Sequence, residues 1–138
     1  MYIISGCLAG LNCRYDGGNK KNITLMELVK EKKAIPLCPE QLGGFATPRL
    51  PVDINSGEDV LLDQERVYDK GGQEVTEGFL KGAYETLKIA EMVKPTLIIL
   101  KSRSPSCGYN GVTFALLRQK GFKVVSDEEW CADINVSS

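Results

Sequence analysis

The chain contains no histidine among its 138 residues. Histidine is the side chain that most often moves protons near neutral pH, activates serine or cysteine nucleophiles and binds zinc. Its absence excludes Ser-His and Cys-His nucleophile pairs, histidine-ligated metal sites and a histidine proton shuttle. Acid–base chemistry must therefore fall to carboxylates, lysine, tyrosine or cysteine, and a transition-metal site must be built largely from thiolates.

Paired cysteines and long apolar segments are also missing. The five cysteines are an odd number, no two have Cys-x-x-Cys spacing, and no export signal precedes them. A disulfide framework is therefore not expected. No apolar run approaches the roughly 20 residues of a membrane helix, and the N-terminus lacks the basic flank and long apolar stretch of a signal peptide. We expect a cytoplasmic protein without a membrane partner.

Neither sign of charge predominates in this sequence. Its 17 basic and 18 acidic residues give a net charge of −1, which argues against binding nucleic acid by neutralising its phosphates. A hydrophobic content of 43% and a charged content of 25% are ordinary for a globular protein. The length suits one domain over residues 1–138, and a small-molecule partner fits this composition better than a polyanion.

Short apolar runs alternate with helical patterns along the chain. The strongest run, residues 96–100, consists almost entirely of leucine and isoleucine, which indicates a strand buried on both faces near the centre of a parallel sheet. Further strands are predicted at residues 3–4, 34–37 and 122–125, helices near 24–33, 76–93 and 112–120 and from 126, and a small hairpin flap at 60–68. We therefore predict an α/β fold with one open, mostly parallel, Rossmann-like sheet of about four strands and helices on both faces.

Three of the cysteines directly follow predicted strands, namely Cys7, Cys38 and Cys107. The carboxyl ends of parallel strands meet at one edge of a sheet, where open α/β folds bind ligands. Thiols separated by 31 and 69 residues are therefore expected to meet there. Convergent thiols without histidine suit soft metals, and an iron–sulfur cluster in particular. Zinc is the competing metal, but structural zinc usually takes four ligands from closely spaced pairs.

A carboxylate and two hydroxyl groups accompany these thiols. Glu40 follows Cys38 by two residues, across a proline that stiffens the loop, and is the best candidate for a proton-transfer group beside a metal thiolate. Ser104 and Ser106 precede Cys107 and are candidates for orienting or protonating a ligand. Loop hydroxyls also commonly bind nearby backbone groups, which is the structural alternative for both serines.

The remaining cysteines and three arginines are less specific signals. Cys13 shares a loop with Cys7 and is a possible fourth ligand, although the intervening turn favours a packing role, and a structural role is expected for the remaining cysteine, near the C-terminus. Arg14, Arg49 and Arg103 lie one in each of the three loops. They are candidates for holding an anionic or carbonyl-bearing ligand, although surface ion pairing is the commoner role of arginine.

Three motifs in order resemble the thiouracil desulfidase family, whose short members were long classified as a domain of unknown function. They are Ser-Gly-Cys-Leu-Ala-Gly at 5–10 with Arg-Tyr-Asp-Gly at 14–17, Cys-Pro-Glu at 38–40 with the Gly/Pro-rich loop to residue 51, and Lys-Ser-Arg-Ser-Pro-Ser-Cys-Gly at 101–108. The resemblance covers nearly the whole chain. It implies a [4Fe–4S] cluster held by Cys7, Cys38 and Cys107, with one iron left open to take the sulfur of a thiolated pyrimidine such as 2-thiouracil. Water then replaces the sulfur without net redox change, with Glu40 and Ser104 as catalytic groups.

Within this interpretation the expected substrate is a free thiolated base or nucleoside. Two other functions remain open. One is a phosphatase-like or arsenate-reductase-like thiol enzyme that uses Cys7, although six residues separate Cys7 from Arg14 where the phosphatase loop has five. The other is a non-catalytic module that binds a metal or sulfur through the same thiols and does not need Glu40 or Ser104.

Overall fold

The computed structural model describes residues 1–131, in which four short strands form one parallel sheet. The strands are β1 (Tyr2–Ser5), β2 (Ala34–Leu37), β3 (Leu97–Leu100) and β4 (Val124–Ser126), and their order across the sheet is β2-β1-β3-β4. Every neighbouring pair is parallel, with β1 and β3 in the centre. The predicted α/β fold with an open parallel sheet is confirmed.

Helices connect the strands. They are α1 (Ile23–Lys30), α2 (Pro39–Leu42), α3 (Gly57–Leu61), α4 (Thr76–Val93) and α5 (Val112–Gln119), with a 3₁₀ turn at Gly6–Ala9 and helical residues at 127–131. The first helix starts one residue earlier than predicted, because the Asn22 side chain accepts a hydrogen bond from the backbone N–H of Leu25. It ends at Lys30, three residues before the predicted end at residue 33. None of the helices described is long and apolar enough to cross a membrane.

The central strands bury both of their faces. Successive side chains of a strand point to opposite sides, so Ile3 and Ile98 join a core cluster with α4 and α5. Ile4 and Ile99 join a second cluster with α1 on the other side. All four isoleucines are completely buried, as the leucine- and isoleucine-rich run at 96–100 predicts for a central strand. The prediction of helices on both faces is confirmed.

The hairpin flap predicted at residues 60–68 is wrong in its first arm. Residues 60 and 61 belong to helix α3, which begins after Ser56, whose hydroxyl accepts the backbone N–H of Asp59. A serine cap followed by two acidic residues in the first turn is a helix-starting pattern, and it overrides the β preference of Val60. The antiparallel pairing in this region consists of two isolated bridges, between Val52 and Asp69 and between Tyr68 and Glu74.

The contact between α2 and α4 positions the loop that follows β2. Gly82 of α4 lies against the Pro39 carbonyl of α2 so closely that any Cβ at this position would overlap it. Because α2 comes directly after Cys38, this contact also fixes the position of Cys38 and Glu40 relative to the sheet.

Candidate functional site

A cavity of about 230 Å³ lies at the carboxyl edge of the sheet, where the loops after β1, β2 and β3 meet. All three cysteines predicted to converge are in its wall, together with the predicted glutamate and the first of the two serines. The residues that matter for its chemistry are Ser5, Cys7, Cys13, Arg14, Cys38, Glu40, Arg49, Ser104 and Cys107.

Each of the three predicted cysteines is held by a different local structure. Cys7 is buried in the 3₁₀ turn that follows β1, Cys38 is the half-buried N-cap residue of α2, and Cys107 is buried in the loop between β3 and α5. All are free thiols. The parallel topology thus brings together in one cavity three residues that are distant in sequence.

The structure adds Cys13 to this group of thiols. Cys13 is buried in the cavity wall. Its carbonyl accepts hydrogen bonds from the Cys38 thiol at 3.7 Å and from Arg49 Nη2 at 2.9 Å. The only sequence signal for this placement of Cys13 was that it shares a loop with Cys7.

The environments of Cys107, Cys13 and Cys38 raise the pKa of each thiol and so favour the protonated form at neutral pH. Burial raises the pKa of Cys107 to about 12, although Ser5 and Ser104 donate hydrogen bonds to its sulfur. The hydrogen bond from Cys38 lowers the pKa of Cys13, but its own donation to Cys7 and its burial outweigh that effect and raise this pKa to about 11. The pKa of Cys38 is raised by the hydrogen bond that it donates to Cys13 and by burial. A cation that binds these sulfurs must therefore displace protons.

Glu40 is paired with an arginine at the edge of the cavity. Its Oε1 accepts Arg49 Nε at 3.2 Å, and the two side chains are only 14% and 10% exposed. Arg49 also donates to the Ala46 carbonyl and the Thr47 hydroxyl. Arg49 therefore ties the loop after β2 to the Cys13 loop and holds the carboxylate of Glu40 in a fixed position.

Ser104 lies next to Cys107 as predicted, whereas Ser106 is turned to the interior. The Ser104 oxygen accepts the backbone N–H groups of Ser106 and Cys107 at 3.2 and 3.1 Å, and its hydroxyl donates to the Cys107 sulfur. Ser106 is buried, is not in the cavity wall and accepts Thr113 N and Phe114 N through its carbonyl. Ser106 therefore lies outside the cavity wall.

Ser5 is a site residue that the sequence analysis missed. Its hydroxyl accepts the backbone N–H of Lys101 at 2.8 Å and donates to Cys107. It therefore connects the ends of β1 and β3 and contacts one of the cavity thiols. Its position as the last residue of a central strand was the available signal, since such residues reach the ligand-binding edge.

The loop after Cys7 does not have the form of a phosphate-binding loop. The backbone N–H groups of Gly10, Leu11 and Cys13 donate to carbonyls of the same segment. A phosphate-binding loop directs such groups at the anion instead. This hydrogen bonding disfavours the phosphatase-like alternative.

The chain therefore falls in the class of parallel α/β proteins that have a thiol-lined cavity at the carboxyl edge of the sheet. Within that class, the family model described as 2-thiouracil desulfurase matches residues 2–129. The chain belongs to the 2-thiouracil desulfurase family, as the motifs at 5–17, 38–51 and 101–108 predict.

Two individual proteins resemble the chain over nearly its full length. It is 42% identical to the uncharacterized protein YbbK of Bacillus subtilis (strain 168), over 94% of this chain and 97% of that protein. A solved structure, the [4Fe–4S]-dependent thiouracil desulfidase TudS, superposes with a TM-score of 0.83 at 32% identity, covering 99% of this chain and 97% of TudS.

Proposed function

We propose that this protein is a [4Fe–4S]-dependent desulfidase that replaces the sulfur of a thiolated pyrimidine, 2-thiouracil or a close relative, with oxygen from water. Family membership and the likeness to TudS support this reaction class. The observation that carries the proposal is the convergence of Cys7, Cys38 and Cys107 in one cavity with Glu40 and Ser104.

The donor set in the cavity fits an iron–sulfur cluster better than a single ion. The thiols of Cys7, Cys13, Cys38 and Cys107 line the cavity, and the chain has no histidine that could share in binding a metal. Thiolates are the usual ligands of iron–sulfur clusters. We assign Cys7, Cys38 and Cys107 to the cluster, which would supply a Lewis-acidic iron that polarises the C–S bond.

Glu40 and Ser104 are proposed to handle the protons of the reaction. The Glu40 carboxylate, fixed by Arg49, accepts a proton from the water that attacks the carbon atom of the C–S bond. Ser104 is both donor and acceptor, and its one hydroxyl proton, directed at the Cys107 sulfur in the free protein, is donated to a ring nitrogen when the base binds. The balance is base C=S plus H₂O giving base C=O plus H₂S, without an external oxidant or reductant.

The charge of the chain supports a free base or nucleoside as the substrate. Its net charge of −1 gives no excess of basic side chains for neutralising the phosphates of a nucleic acid.

The experiment that tests this proposal is anaerobic reconstitution with iron and sulfide, followed by addition of 2-thiouracil. We expect the thione absorption to disappear and uracil and sulfide to appear in a 1:1 ratio over many turnovers. A non-catalytic module would bind the base without releasing uracil. Absence of uracil from a sample that carries a full cluster would refute the proposed reaction.

A further inference from the structure

Arg14 carries a buried nitrogen that has no partner in the part of the chain that the structure describes. Its Nη1 is inaccessible to solvent and makes no hydrogen bond, and the residue lies in the wall of the cavity. A charged donor that is buried without an acceptor is costly to the fold. An acceptor supplied by a bound molecule would remove this cost.

The loop that carries Arg14 is fixed by other groups, so the free donor does not result from a loose loop. Arg14 N donates to the Gly18 carbonyl at 3.2 Å, and Gly17 N donates to the Arg14 carbonyl at 2.8 Å. The neighbouring carboxylate, Asp16, accepts the backbone N–H of Gly18. The backbone of Arg14 is therefore fixed beside the cavity by a closed turn.

The other cations around the cavity already have partners. Arg49 binds Glu40 and three further oxygens, and Lys101 donates to the carbonyl and hydroxyl of Ser102. Arg103 is 85% exposed and faces Glu128 at 3.5 Å. Of the cavity cations in residues 1–131, Arg14 is the one with a buried and unused donor.

We infer that Arg14 recognises the substrate by donating a hydrogen bond from Nη1 to the exocyclic oxo group of the pyrimidine, an inference that rests on the proposed function. A guanidinium has donors and no acceptor. It therefore selects a base that presents a carbonyl oxygen to Nη1 over one that presents an amino group there, because an amino group would leave Nη1 unpaired. Sites built to form such a bond reject analogues without it by large factors.

The test is a binding measurement on the reconstituted protein with uracil and cytosine, which carry no sulfur and are not consumed. We expect the wild type to bind uracil at least tenfold more tightly than cytosine. Arg14→Met should weaken uracil binding at least tenfold and leave cytosine within twofold, and Arg14→Lys should fall between. Arg66→Met, which removes a surface guanidinium paired with Glu74 and Asp63, is the matched control and should bind as the wild type does.

Unchanged uracil binding by Arg14→Met, or a wild type without preference for uracil, would overturn the inference. If Arg14 discriminates between uracil and cytosine in a protein that fails to desulfurise 2-thiouracil, the inference is upheld and the proposed reaction is refuted.

A structural role of Arg14 is tested separately. Because an unpaired buried Nη1 costs stability, Arg14→Met should keep or raise the melting temperature of the cluster-free protein. It should also keep the visible absorption of the reconstituted protein, and a fall in either would assign Arg14 to the fold or to the cluster.

Discussion

At the scale of single residues, the site combines groups that hold one another in place. Arg49 fixes the carboxylate of Glu40, and Ser5 and Ser104 both donate to Cys107. The Cys38 thiol donates to the Cys13 carbonyl, which also accepts Arg49. Nearly every polar group in the cavity wall therefore has a protein partner, and the reacting groups are positioned before a ligand binds.

The substitution Glu40→Gln tests the role of Glu40 as the general base, because it removes the carboxylate with little change in the shape of the side chain. The amide still accepts a hydrogen bond from Arg49 but cannot take a proton from water, so we expect the turnover rate to fall by about 10²–10⁴-fold. The visible absorption of the reconstituted protein should be unchanged, because Glu40 is not among the three proposed ligands. Glu58→Gln in α3 is the matched control, and a fully active Glu40→Gln would remove this residue from the mechanism.

The thiols predict how the stability of the cluster-free protein depends on pH. Burial raises the pKa of Cys107 to about 12 from an ordinary 9.0. The stabilisation from keeping this thiol neutral is therefore present below pH 9 and is lost as the pH rises through 12. We expect the melting temperature under reducing conditions to fall between pH 9 and 11. The slope should be smaller in Cys107→Ser and unchanged in the control Cys131→Ser, and a melting temperature that rises with pH would contradict this account.

The sequence predicted the site residues that follow strands but not the contacts between loops. Cys7, Cys38 and Cys107 were predictable because an apolar run locates a strand, and the end of a parallel strand locates the ligand edge. The approach of Cys13 to Cys38 and the pairing of Arg49 with Glu40 depend on how irregular loops fold over one another. No periodic pattern encodes such contacts.

At the scale of elements, the short helix α2 depends on its packing against α4. With four residues (Pro39–Leu42), α2 is too short to be stable alone, and it is held against α4 where Gly82 allows the two backbones to approach. The position of Cys38 and Glu40 is therefore determined partly by a glycine in a distant part of the sequence.

The substitution Gly82→Ala distinguishes the contribution of this packing to stability from that of helix propensity. Propensity alone predicts a gain of about 1 kcal/mol in the free energy of unfolding, whereas the overlap with the Pro39 carbonyl predicts a loss of about 1–3 kcal/mol. We expect a net loss in chemical denaturation, together with weaker cluster binding because α2 is displaced. Lys81→Ala, at an exposed position of the same helix, should change stability by less than about 0.5 kcal/mol; a more stable Gly82→Ala variant would refute the packing argument.

Elements with strong local signals were predictable, and those determined by tertiary packing were not. The long helix α4 and the apolar strand β3 follow from their periodicity. Helix α3 was predicted as a strand, because a short apolar run is ambiguous between the two and its capping serine was not considered. Helix α2 was predicted as irregular loop, since only its contact with α4 makes it helical.

At the scale of the whole molecule, the parallel topology makes one site from three distant segments. Because the strands are parallel, they all end at the same edge of the sheet, and the loops after β1, β2 and β3 open at this carboxyl edge. The two faces of the sheet are covered by helices, which leaves this edge as the place for chemistry. The arrangement suits a rigid cluster that needs ligands from several directions.

The most direct test of the central claim is the iron content per chain of single cysteine variants after anaerobic reconstitution. The account predicts about four irons in the wild type, a loss of more than half of that iron in Cys7→Ser, Cys38→Ser and Cys107→Ser, and full retention in Cys13→Ser and Cys131→Ser. Full retention of iron by Cys7→Ser, Cys38→Ser or Cys107→Ser, or a loss of iron confined to Cys13→Ser, would contradict this account.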